Sequence, residues 1–174
     1  MAAFHLVDHT YLVSKLDPEN DSALTFTRET YMEGTKRRLL WNGMFLFLLG
    51  LLTGFAEQMF SNPRMGLAAH LEGVMNGTFL LALGAIWFEI RLSPRMTAAA
   101  YWTALYGTYA NWVTTALAAI LGTAAMSPIT AAGHRARQWQ EVLVTFGFAS
   151  VGITIVACSI FVLWGLRRMA RFPA

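Results

Sequence analysis

Charge is scarce in this chain. Aspartate, glutamate, lysine and arginine make up 13% of its 174 residues, about half the ~25% usual in soluble domains. No nucleic-acid partner is expected, because such binding needs basic residues gathered on one face. Cysteine is nearly absent: Cys158 stands alone in an apolar run, so no intramolecular disulfide can form. Redox compartment cannot be read from a lone thiol. There is no Gly-rich phosphate loop and no His-Glu-x-x-His zinc helix. No Ser/His/Asp set can be assembled without geometry, and a helical protein offers no sheet for a nucleophile elbow.

What fills the chain is apolar sequence, 56% of residues with a mean hydropathy of +0.46. Its length suits one domain. Four stretches reach the ~20 residues needed to cross a hydrocarbon core: Leu39–Phe60, Gly66–Ile90, Thr97–Gly122 and Glu141–Leu166. The first begins too far in for a cleaved signal peptide. The joins carry loop chemistry, Ser61-Asn62-Pro63, Ser93-Pro94 and a longer Ser127–Gln138 stretch with Pro128 and Gly133. The expected fold is all-α, an integral membrane four-helix bundle over residues 36–174.

Lysine and arginine set its orientation. Lys36, Arg37, Arg38, Arg91, Arg95, Arg167, Arg168 and Arg171 fall on one side, and Arg64, Arg135 and Arg137 on the other. Both termini are therefore expected to be cytoplasmic, in a multi-pass protein of the bacterial inner membrane. Residues 1–35 differ in kind. Six of the ten acids lie here (Asp8, Asp17, Glu19, Asp21, Glu29 and Glu33), which reads as an acidic cytoplasmic extension with a short helix over Phe26–Glu33 ending at Gly34.

Polar side chains are costly inside a bilayer and usually have work to do there. In this topology His70, Asn76, Asn111, Thr114 and Thr115, with Glu57, Glu141 and His134 at the outer ends, converge on the outer half of the bundle, which suggests one shared site. At 100° per residue, His70, Gly73, Gly77 and Gly84 share a stripe of the second span, and Glu72, Asn76 and Leu83 share its neighbour. A histidine above a glycine groove suits a flat macrocycle, and haem iron commonly takes a proximal His. Small residues at that spacing equally serve helix packing with no cofactor. The letters alone leave both readings open. In the third span Trp102, Tyr106 and Tyr109 share one face, and Gly107, Asn111 and Thr114 another. Trp41, Trp87, Trp139 and Trp164 suit an interfacial belt. Glu141 suits a helix start, or a metal set with His70 and His134.

The run Asn62-Pro63-Arg64-Met65-Gly66-Leu67-Ala68-Ala69-His70-Leu71-Glu72-Gly73-Val74-Met75-Asn76-Gly77 resembles the hydroxylaminobenzene mutase family. So do Leu105-Tyr106-Gly107-Thr108-Tyr109-Ala110-Asn111-Trp112 and Val162-Leu163-Trp164-Gly165-Leu166-Arg167-Arg168. The resemblance covers roughly 38–168. A more distant likeness is to styrene oxide isomerase, a four-span homotrimeric membrane enzyme. Its His, five residues, Asn-Gly pattern is matched by His70, Asn76 and Gly77, and its third-helix asparagine by Asn111. One departure is that a pocket tyrosine of that family aligns with Thr115.

The resemblance implies an isomerase converting an arylhydroxylamine to a 2-aminophenol, working as a homotrimer on a small aromatic substrate that arrives through the lipid bilayer. It implies haem b between subunits, with His70 as axial ligand beside Gly73 and Gly77, and ferric iron polarising the leaving oxygen. Catalytic roles fall to Asn76, Asn111 and Glu72, and substrate contacts to Tyr106, Tyr109 and Thr115. Two alternatives stand beside it. One is an epoxide isomerase of the styrene oxide type, and the other a non-catalytic b-type cytochrome with His134 as the second ligand.

Overall fold

The computed structural model describes residues 18–167, with side chains from Thr30 onward. Among these residues the chain is helical and has no strand. Four helices are long: α1 (Pro18–Ala56), α2 (Pro63–Ala85), α3 (Pro94–Leu121) and α5 (Gln138–Arg167), with a short α4 (Pro128–Ala131) before the last. Single 3₁₀ turns follow α1 (Glu57–Met59) and α2 (Trp87–Glu89).

The chain divides into two compact units, Met1–Thr35 and Lys36–Ala174. In the first, α1 has no break at Gly34, contrary to the short helix expected there. A glycine inside a helix costs only about 1 kcal/mol against alanine, and the Thr35 hydroxyl caps nothing but returns to its own helix at Tyr31 O, 2.9 Å away. The acids Asp8 and Asp17, and the basic residues Arg168 and Arg171, lie outside the described residues.

In the second unit the helix boundaries follow local chemistry. Pro63 and Pro94 open α2 and α3, where a missing N–H is harmless. Asn62 caps α2 by accepting from the Met65 N–H at 3.2 Å. The same side chain, fully buried, donates to the carbonyls of Thr130 (3.0 Å) and Ala131 (3.2 Å). Ser61 donates to Ile120 O at 2.7 Å. The α1–α2 join is thus clipped to the α3–α5 join. Gly122 ends α3 with φ +66°, a left-handed conformation that glycine adopts without strain. Elsewhere in the unit, the Arg91 N–H reaches Gly165 O at 3.3 Å.

The helices meet through small residues. A Cβ added to Gly50 of α1 would lie 2.5 Å from Val74 N of α2, and one on Gly77 2.5 Å from Phe47 N. Between α3 and α5, Gly147 lies under Thr114 and Gly107 under Ile155. Among lipid chains leucine gains nothing by moving inward, so close packing of this kind is what holds helices together.

What faces outward is apolar: Phe55, Phe146, Ile153 and Leu163 are all more than two-thirds exposed, at 87%, 71%, 73% and 67%. Thr30–Met59 and Gln138–Arg167 are long and apolar enough to cross a membrane. Only 28% and 11% of their most apolar windows are buried within the chain, whereas the core helix of a soluble protein would be surrounded. Trp41, Trp139 and Trp164 are exposed as a belt requires, but Trp87 is 1% exposed and belongs to the interior.

Asn62→Ala should lower stability by roughly 2–3 kcal/mol, the sum of a lost cap and two unpaired carbonyls. Asn62→Asp, which keeps the acceptor but not the donors, should fall between. Thermal unfolding in detergent reads both, and a neutral Asn62→Ala would rule out the clip.

Candidate functional site

Two faces of α2 carry its polar residues, and they look at different partners. On the first, the His70 Nδ1 lies 2.8 Å from Gly50 O of α1. A carbonyl can only accept, so Nδ1 carries the hydrogen, and in the neutral ring the lone pair is on Nε2. The ring fits because Gly54 has no side chain: a Cβ there would stand 2.8 Å from Nδ1 and 3.1 Å from Cε1. His70 itself is half-buried.

On the second face, Glu72 Oε2 accepts from two amides. Asn76 Nδ2, one turn along α2, donates at 3.2 Å. Asn111 Nδ2 donates from α3. All three side chains are half-buried, and the carboxylate joins the two helices. With both amides on Oε2, the second oxygen, Oε1, lies outside this clamp and can meet an N–H or O–H of a bound molecule.

His70 and Glu72 are two residues apart, hence about 200° apart around the helix. The single shared site expected from the sequence therefore resolves into two places, the imidazole against α1 and the carboxylate–amide cluster against α3. The glycine groove is corrected as well. Gly73 lies against Gly50 and Trp112, and Gly77 against Phe47 and the Gly43 carbonyl, so α1 fills the face on which a macrocycle was expected to lie.

The three expected substrate contacts do not assemble either. Tyr106 bonds Ser150 of α5 at 2.9 Å, and since Ser150 donates to Gly147 O at 2.8 Å, the tyrosine is the donor. Both border an open groove of about 410 Å³ whose walls include none of Glu72, Asn76 or Asn111. Tyr109 turns to α1 and donates to Asn42 O (3.1 Å) and Asn42 Oδ1 (3.2 Å). Thr115 is buried and donates to Asn111 O at 2.9 Å, steadying the turn that presents that asparagine. Their spacing along α3 is helical, but the packed neighbours differ.

Glu141 is a brace rather than a ligand. Its carboxylate accepts the backbone N–H groups of Ala124 (3.0 and 3.1 Å), Ala125 (2.7 Å) and Ala136 (3.0 Å). His134 Nδ1 pairs with Ala131 O at 2.9 Å. Among the described residues no three His, Cys, Asp or Glu side chains group as a metal site, so the set His70, His134 and Glu141 is not formed. Asn42, Thr53 and Trp112 were passed over in the sequence. Trp112 Nε1 donates to Thr53 Oγ1 at 3.1 Å. An amide at position 42 inside an apolar run was the available signal for the first of them.

An apolar exterior on helices long enough to cross a bilayer defines a membrane protein, and a half-buried carboxylate held by two amides lies between its helices. The chain belongs to the styrene oxide isomerase family, whose model matches residues 35–167. It is 50% identical to hydroxylaminobenzene mutase HabB of Ectopseudomonas oleovorans over 132 residues, 75% of this chain and 80% of that one. It is 41% identical to hydroxylaminobenzene mutase HabA of the same organism over 131 residues, 75% of this chain and 97% of that one. No solved structure matches. The chain is thus an isomerase of the mutase kind.

Gly54→Ala should push the imidazole off Gly50 O and cost roughly 1–3 kcal/mol. Gly152→Ala, with nothing within 4 Å of the new Cβ, should gain about 0.5–1 kcal/mol from helix propensity. Thermal unfolding of the two variants side by side tests the assignment. Equal effects would mean that His70 does not depend on the bare position.

Proposed function

We propose that this chain moves the hydroxyl of an arylhydroxylamine from nitrogen to the ortho ring carbon, giving a 2-aminophenol. The observation that carries the reading is the Glu72–Asn76–Asn111 cluster, a carboxylate aligned by two amides on facing helices. It is supported by the two mutase relatives.

In this reading the Asn76 and Asn111 amides hold Glu72 and present their remaining donor and acceptor atoms to the substrate N–H and oxygen. Glu72 Oε1 takes the ring proton released when the ortho carbon regains aromaticity, and returns it to nitrogen. The apolar surroundings keep water from capturing the electron-poor ring. Proton and oxygen both stay with the substrate, so no net redox change occurs.

Haem b is part of the proposal. The protonated Nδ1 on a backbone carbonyl leaves the Nε2 lone pair bare and orients it, so His70 is the residue that would hold the iron. When bound, the haem supplies a Lewis acid that polarises the nitrogen–oxygen bond. α1 fills the glycine face, so Gly73 and Gly77 would not be among the residues that hold the haem. A homotrimer in which copies meet beside half-buried His70 is the assembly proposed, supported by the large apolar surface left on the helices. The same reading takes all four long helices as spans of the bacterial inner membrane with both termini cytoplasmic, supported by the basic residues beside 36–38, 91–95 and 167.

Opening of a styrene-type epoxide is the second reading, favoured by the family model over residues 35–167. Against it, the position expected to carry a pocket tyrosine is Thr115, whose hydroxyl is engaged by Asn111 O.

Purified protein should convert hydroxylaminobenzene to 2-aminophenol and show a Soret band that His70→Ala abolishes. Glu72→Gln and Asn111→Ala should each lower kcat roughly 10²-fold with the band retained. Turnover of styrene oxide alone would favour the second reading, and a folded colourless protein would remove the haem.

A further inference from the structure

Trp112 of α3 touches both α1 and α2. Its indole Cδ1 would be 3.0 Å from a Cβ on Gly73 of α2, so the ring is seated on that bare position. Its Nε1 donates to Thr53 Oγ1 of α1 at 3.1 Å. Thr53 in turn donates to Leu49 O at 2.8 Å, and the next carbonyl, Gly50 O, is the one that holds His70 Nδ1. In the other direction, Trp112 follows Asn111, which donates to Glu72 on α2. A closed circuit results. It runs from His70 to Gly50 on α1, along that turn to Thr53, across to Trp112 and Asn111 on α3, and back to α2 at Glu72.

We infer that Trp112, acting through Thr53, is a positioning residue that sets the imidazole of His70 and the Glu72–Asn111 pair at a fixed separation. The physical reason is that His70 and Glu72 leave α2 on opposite sides and cannot register one another directly. Each is held by a different neighbouring helix, so their spacing depends on how α1 is fastened to α3. Tyr109–Asn42 and Trp112–Thr53 are side-chain links between those helices. The second lies on the turn that holds His70. Its donor and acceptor are half-buried and buried, so water competes poorly for either.

The test uses full-length protein labelled with nitrogen-15 at histidine, His70 being assigned by its loss in His70→Gln. Wild type should show Nδ1 protonated and Nε2 without a hydrogen, whether that nitrogen is free or on iron. Trp112→Phe keeps the ring and removes the donor, and Thr53→Val keeps the shape and removes the acceptor. Both should shift the His70 Nδ1 signal as its bond to Gly50 O loosens, the double variant should go no further than either single one, and Thr53→Ser should restore the wild-type signature. An unchanged His70 spectrum in folded Thr53→Val and Trp112→Phe overturns the inference, as does an additive double variant. Where the inference is joined to the arylhydroxylamine reading on which its catalytic meaning rests, both single variants should also lose about five- to tenfold in kcat with KM little changed. Should wild type turn over no arylhydroxylamine while the Nδ1 shift appears in the variants, the positioning role stands and the functional reading alone falls.

Discussion

Backbone contact between Gly50 and Gly73 is the constraint on which the remainder of the structure rests. With a side chain on either residue the two helices would be forced apart, because each Cβ would collide with the other's main chain. Their approach brings the Gly50 carbonyl within reach of His70, leaves room at Gly54 for the imidazole, and places Gly73 under Trp112. A few tenths of an ångström here decide whether a ring nitrogen is hydrogen-bonded or bare, since hydrogen-bond strength falls steeply with distance and angle.

α3 is the element that integrates the fold. It reaches α1 through Tyr109 and Trp112, α2 through Asn111, and α5 through Tyr106 and Thr114. Every one of these residues is polar or amphipathic, and nearly all of their bonds cross to another helix. In a water-poor interior an unpaired polar group is expensive, so such groups specify which helices meet and at what height. The loops use the same logic. Asn62 and Glu141 turn buried or half-buried side chains onto backbone groups that the helix ends would otherwise leave unsatisfied.

Much of this was legible from the residues. Apolar run length located α2, α3 and α5 to within a few positions, because proline and glycine punctuate their ends. The Glu72, Asn76 and Asn111 cluster was also foreseeable, since two of its members sit four apart on one helix and the third is an amide in a facing span. The start of α1 was misjudged because a glycine within good helix formers is a weak stop. The glycine stripe was ambiguous for a deeper reason. Absence of side chains marks a place where something comes close, but not whether that something is a ligand or another backbone.

Composition and spacing by themselves determined an all-helical chain with an apolar exterior and a small set of polar residues capable of chemistry, since both depend on local periodicity and transfer energies. Tertiary structure alone decided that Gly73 and Gly77 face α1, that Tyr106 and Tyr109 part company, that Glu141 braces a loop, and that His70 and Glu72 answer to different helices. Those outcomes depend on which neighbour occupies each direction around a helix. Neighbours are chosen by packing between segments far apart in the chain, and helical period carries no record of that choice.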